Sequence, residues 1–286
     1  MHLGNECARF NHKKNEELLQ FIQRQASSRF ENIVHEGLLH FEQHSVIAGP
    51  WQTTLALLFQ RLTADRESIL IPNPHHPGIL AAIKSSKRSW IQYKCKQSED
   101  WRISFEHLEA ISSFNSKVIL LSNPHHPTGK MYSKAELLKV LTFAQTYELT
   151  VIELCLYHPG ETFISIQDVA RECMPESRVV SVYSRQNDYS LRTPTWVNYH
   201  GVTPIELPKE PEDSLILAYF SQGVTSEEMQ QQYHDKIQFF ELFQHVPHVE
   251  WVYPDSGTSL LFSMVPGISM KSADHFQYQL LKETVI

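Results

Sequence analysis

Two turns of this chain carry paired histidines, PNPHHPG at 72–78 and SNPHHPTG at 122–129, each directly after a short apolar run. Imidazole titrates nearest neutrality, so such pairs can move protons, hold an anion when charged, or ligate a metal. Zinc wants three or four convergent ligands. Adjacent histidines seldom both reach one ion, His40 and His44 lack a third partner, and no H-E-x-x-H or Cys/His quartet occurs, so no metal is expected. Cys155 lies in an apolar run and reads as a buried inert thiol, and no G-x-S-x-G elbow marks a nucleophilic serine. Glycine-rich phosphate loops are absent in both the G-x-G-x-x-G and the G-x-x-x-x-G-K-[ST] form. Downstream lie two arginines, Arg185 and Arg192, in a stretch from 140 to 208 that contains no lysine.

The elements that position these groups follow from periodicity. Apolar runs (SILIP, SWIQYK, KVILLS, LTVIELCLY, RVVSVYS) alternate with helical segments, one opening at Pro77 and another at the capping box Ser133-x-x-Glu136. Strands alternating with helices of this length predict an α/β fold, a mainly parallel sheet flanked by helices. Residues 11–30 read as an amphipathic helix. After Pro204 a Pro- and acid-rich loop leads to a second capping box, Thr225-x-x-Glu228, which predicts a helix to about residue 246. Two alternating strands, VEWVY and TSLLFSM, and a final helix follow. The expected organisation is an N-terminal helical arm at 1–45, a large α/β domain at 46–210, and a small, truncated α+β domain at 211–286.

Composition narrows the function classes. With 25 Lys+Arg against 32 Asp+Glu the net charge is −7, which argues against nucleic-acid binding. The four cysteines, Cys7, Cys95, Cys155 and Cys173, stand far apart and suit a reducing compartment. The first residues show no apolar leader, and no stretch approaches a membrane span. A cytoplasmic protein with no membrane partner is the expectation. Histidine is abundant at 16, so uptake of protons by half of them near pH 6 would carry the charge to about +1.

The segment VILLSNPHHPTGKMYSKAELLKVLTFAQTYELTVIELCLYHPG resembles the strand, turn, helix and strand of class I/II aminotransferases, the fold type I enzymes dependent on pyridoxal phosphate (PLP). Their pattern there is N-P-x-N-P-T-G, then S-x-x-E, then D-E-x-Y. VIAGPWQTTLALL is similar to the family's glycine-led helix start, LIPNPHHPGILAAIKSS to its P-x-Y-P-G turn, and SVYSRQNDYSLRTP to its S-x-S-K followed by L-R. The resemblance runs from about residue 46 to the last residue and implies the corresponding fold, with a homodimer or a pairing with a homologue.

Carried over position by position, the resemblance places the Schiff-base lysine on Arg185, whose guanidinium forms no imine at working pH. The acid beside the pyridine nitrogen falls on Leu154. Glu153 is adjacent, but alternation along a strand points it to the other face. The ring-hydroxyl asparagine falls on His126 and the ring-covering aromatic on His76. Asn123, Tyr157, Arg192 and Gly49 match the family. The resulting expectation is an aminotransferase-like protein that has lost PLP-dependent transamination and binds a small anionic or amino-acid-like molecule. PLP-independent catalysis would use His126 or Tyr157 as a general acid or base. Gly49, Trp51, His76, Asn123, Arg185 and Arg192 would bind the ligand. No cofactor is expected, with PLP admissible only without a Schiff base. Two alternatives are a non-catalytic dimeric partner or scaffold and an atypical PLP-dependent aminotransferase.

Overall fold

The computed structural model describes residues 44–48, 50–156, 163–184, 194–205, 231, 234–235, 237–238, 240–241, 249–255 and 261–264. The helices expected at 11–30 and at the end of the chain fall outside them. In chain order the described elements are β1 (His44–Ala48), α1 (Trp51–Leu62), β2 (Ser68–Asn73), α2 (Pro77–Ser86), β3 (Ser89–Lys96), β4 (Arg102–Ile103), α3 (Phe105–Ile111) and β5 (Ser116–Ser122). They continue with α4 (Lys134–Thr146), β6 (Thr150–Cys155), α5 (Ile166–Cys173), β7 (Val179–Tyr183), β8 (Pro194–His200), β9 (Val249–Val252) and β10 (Leu261–Met264).

Eight strands form one sheet in the order β1-β8-β7-β6-β5-β2-β3-β4. The five central strands, β7 through β3, are parallel, as their near-continuous apolar sequences require. The margins differ from a purely parallel sheet: β8 lies antiparallel to both β7 and β1, and β4 antiparallel to β3.

Side chains alternate between two apolar layers. Ile69, Ile71, Val118, Leu120, Ile152, Leu154, Val180 and Val182 pack with Trp51, Leu55, Leu58 and Phe59 of α1 and Ile79 and Ile83 of α2. Leu70, Ile119, Leu121, Val151 and Val179 pack on the other side with Leu108 of α3, Leu137, Val140 and Leu141 of α4, and Ile166 and Val169 of α5. The helices start where the sequence signals them. Ser133 and Glu136 complete their capping box, Ser104 and Ser165 accept from amides one turn into α3 and α5, and Pro77 opens α2.

The second sheet is the antiparallel pair β9–β10. Helical residues precede it at 231, 234–235, 237–238 and 240–241, within the predicted helix. The segment after β9 grips the outer side of the 122–129 turn. The Asp255 amide donates to Gly129 O at 3.0 Å, and its Oδ2 accepts from the Met131 amide at 3.0 Å. Gln97 Nε2 donates to Glu250 Oε2 at 2.9 Å.

Past β8 the chain turns at Gly201 with φ +62°, where an added Cβ would lie 2.2 Å from Ser177 O. Backbone cannot yield as a flexible side chain would. Gly201→Ala is expected to lower the unfolding free energy by about 1–3 kcal/mol in urea titrations. An unchanged midpoint would contradict this packing.

Candidate functional site

Because β2 and β5 are parallel neighbours, their histidine turns open side by side at the C-terminal edge of the sheet, where open α/β sheets bind ligands. The turns interlock. His125 is fully buried and reaches across to the first turn, with Nε2 3.1 Å from Pro74 O and 3.9 Å from Cys95 Sγ. Its Nδ1 is 2.7 Å from Thr128 Oγ1. The second histidines of the turns touch directly: the His76 and His126 rings lie 4.4 Å apart, and Trp51 meets His76 edge-on at 5.2 Å. His76 Nδ1 accepts from the Gly78 amide at 2.9 Å, capping α2 and placing the neutral ring's proton on Nε2. Gly78 has no substitute here, since a Cβ would sit 2.7 Å from the Trp51 ring.

Burial keeps these imidazoles neutral. Desolvation pushes His125 down to about 4, against the opposing pull of Pro74 O, and pushes His126 down to about 3, with His76 and His125 adding repulsion. His76 and His75 are lowered too, both chiefly by burial. His125 and His126 therefore contribute nothing to a change of charge near pH 6. A neutral imidazole held near pKa 3 also suits hydrogen bonding better than the acid or base role that the sequence offered for His126.

On the opposite face Glu153 is wholly buried with its four acceptor bonds filled. Oε1 accepts from Asn123 Nδ2 and the Ile166 amide, both at 3.0 Å, and Oε2 from Ser165 Oγ at 2.7 Å and Ser181 Oγ at 3.0 Å. Desolvation raises its pKa while these donors oppose the rise. Ser181 is its register partner on β7, and Ile166 starts α5, so the carboxylate joins the end of β5, two strands and a helix N-terminus. Asn123, expected at the ligand, thus spends Nδ2 on Glu153 and on Ile164 O.

The start of α1 reaches the same sheet edge as the histidines. β1 and β7 both pair antiparallel with β8, Ala48 opposite Pro194 and Tyr183 opposite Trp196, so both strands end at one edge. There α1 begins after Pro50 with no side-chain cap and no acid in its first turn. Ser184, just past β7, holds a buried Oγ with no partner among the described residues. Sequence reading noted His125 only within a histidine pair, and Ser184 and Gly78 only within quoted motifs, without giving any of them a role; alternation did place Glu153. Of the expected site residues, Trp51, His76 and His126 come together, with Trp51 buried in the α1 layer. Gly49, Tyr157, Arg185 and Arg192 lie outside the described residues.

PLP anchored as an imine needs a lysine near the end of β7 and an acid beneath the ring. The sequence has no lysine from 140 to 208. Leu154 is fully buried in the apolar layer beneath Trp51, and Glu153 is committed on the other face. These residues do not fit the imine-bound cofactor.

Two measurements follow. Histidines held below their unfolded pKa of 6.5 stabilise the fold fully above pH 6.5 and lose that contribution as pH falls toward 4. Urea unfolding should therefore show stability falling by up to about 1.4 kcal/mol per pH unit for each such histidine. Glu153→Ala orphans four donors and should cost about 3 kcal/mol or more by the same assay.

Comparison with known proteins agrees with this architecture. Residues 12–153 match the family model for aminotransferase class I and II. Glutamate-pyruvate aminotransferase AlaA of Haemophilus influenzae is 28% identical over 117 residues, 41% of this chain and 29% of the relative. The chain thus matches under a third of that relative's length. The solved alanine aminotransferase of Pyrococcus furiosus superposes with TM-score 0.65 at 17% identity, covering 94% of this chain and 77% of that one. Tyrosine aminotransferase of Leishmania infantum gives 0.69 at 14% identity, covering 94% and 70%. With its sequence motifs in family order, a match to the class I and II aminotransferase model over residues 12–153 and a fold shared with solved aminotransferases, the chain is similar to that family through about half of its length in sequence and through most of it in fold.

Proposed function

We propose that this chain is an aminotransferase-fold protein that does not run PLP-dependent transamination and instead binds a small anionic or amino-acid-like molecule at the sheet edge. One observation carries the anion: the uncapped start of α1 shares that edge with the buried Ser184 hydroxyl, which has no partner among the described residues. The Trp51 and Gln52 amides precede Thr53, the first donor to Pro50 O, and the helix dipole favours negative charge beside them. A carboxylate or phosphate oxygen accepts from these amides and from Ser184 Oγ. The resemblance supplies Arg192 as a counter-charge. Neutral His76 and His126 orient a ligand by hydrogen bonding rather than by charge.

The absence of PLP chemistry is the second half of the proposal, supported by the lysine-free stretch and the apolar Leu154. Homologues are named as active aminotransferases, so the test addresses both halves. Incubation with PLP followed by borohydride and intact mass is expected to leave no adduct on any cleft lysine. An adduct mapped there would restore the PLP enzyme. In a thermal-shift titration phosphate or a small dicarboxylate is expected to raise Tm, with Ser184→Ala and Arg192→Ala each weakening the apparent Kd about tenfold. No shift at any anion concentration would sink the ligand reading.

A further inference from the structure

The two histidine turns are near-copies in sequence, and the structure sets them face to face from neighbouring strands. We infer that they form a proton-operated clasp: the His76–His126 ring pair, braced by Trp51 and anchored through His125 on Pro74, holds the two turns to each other at neutral pH, and mild acid shifts the balance toward opened turns. The inference goes beyond the anion reading and stands whatever the cleft binds.

The geometry makes the clasp depend on neutrality. Rings 4.4 Å apart tolerate each other as neutral imidazoles, whereas two imidazolium ions at that distance repel in a desolvated site. His76 uses Nδ1 as an acceptor, so a proton there would abolish the bond that caps α2 at Gly78. His125 bridges the turns with one nitrogen on Pro74 O and the other on Thr128 Oγ1, within the second turn. Among the described residues, the ionisable neighbours of the pair are His75 on the first turn and His125 on the second. Beyond His125 lies the Cys95 thiol of β3, pushed up to about 12 by burial and so uncharged. From α1 comes Trp51 at the positive end of a helix without an acid in its first turn.

Linkage fixes the expected response. An opened turn lets its histidine titrate near 6.5, so each histidine favours the open form about tenfold more at pH 5.5 than at pH 7.5. Amide hydrogen exchange corrected for intrinsic rates reads this locally, because the Gly78, His125 and Gly129 amides are bonded within the turns. Their protection is expected to fall at least tenfold, relative to Leu137, Val140 and Leu141 of α4, between pH 7.5 and 5.5. In the His76→Asn/His126→Asn variant protection should persist at pH 5.5, since asparagine can still cap α2 but does not titrate. Equal loss in α4, unchanged protection in the wild type, or the same loss in the variant would overturn the clasp. Should the variant fail to fold, imidazole carbon titration of the wild-type protein decides. Midpoints for His76 and His126 well below 6.5 support the clasp, and midpoints near 6.5 refute it.

Discussion

A wholly buried carboxylate must collect donors from the protein around it, and Glu153 does so from three separate places in the chain. Asn123 comes from the end of β5, Ser181 from β7, and Ser165 with the Ile166 amide from the first turn of α5. The demand is severe because desolvation of the carboxylate is not offset by any ion pair among the described residues. Meeting it fixes the mutual heights of β5, β6 and β7, and therefore where their ends fall. The side-by-side histidine turns and the level of Ser184 depend on that alignment. One buried acid on the back of the sheet thus sets the shape of its working edge.

The family's chemistry and this chain's residues part company on the other face. The same strand that turns Glu153 toward α5 turns Leu154 into the layer with Trp51, Val180 and Val182. Where the resemblance expects a ring-contacting aromatic and an asparagine, two histidines contact each other and Trp51. The fold is shared and the edge persists, while the residues facing it favour neutral hydrogen bonding and the amides of a helix start.

Much of the framework was legible in sequence because it rests on local rules. The Ser133 box, Pro77 at the start of α2 and the apolar runs of β2, β5, β6 and β7 each carry their own signal. Antiparallel β8 was missed, since PTWVNYH lacks a clean alternation and its pairing depends on β7 and β1, far away in sequence. Within the site, identity was readable and environment was not. His76 and His126 were evident as chemical candidates, but only packing shows that they are desolvated and touching. Asn123 matched the family turn, yet its amide is spent on Glu153, a partner 30 residues away. Ser184 stood in the stretch matched to S-x-S-K, but its interest comes from a buried hydroxyl with no partner among the described residues.

Leu154 also bears on any attempt to recover the family's reaction by design. A lysine at 185 would supply an amine, but the carboxylate it must work with would have to enter at 154, amid Ile152, Val180, Val182 and Trp51. An acid there would meet apolar neighbours on that face, and the donors that could solvate it on β7 already face Glu153. Stepwise substitution therefore crosses a destabilised intermediate. The apolar layer around position 154 acts as a ratchet against single changes, because an acid is tolerated there only if donors are introduced with it.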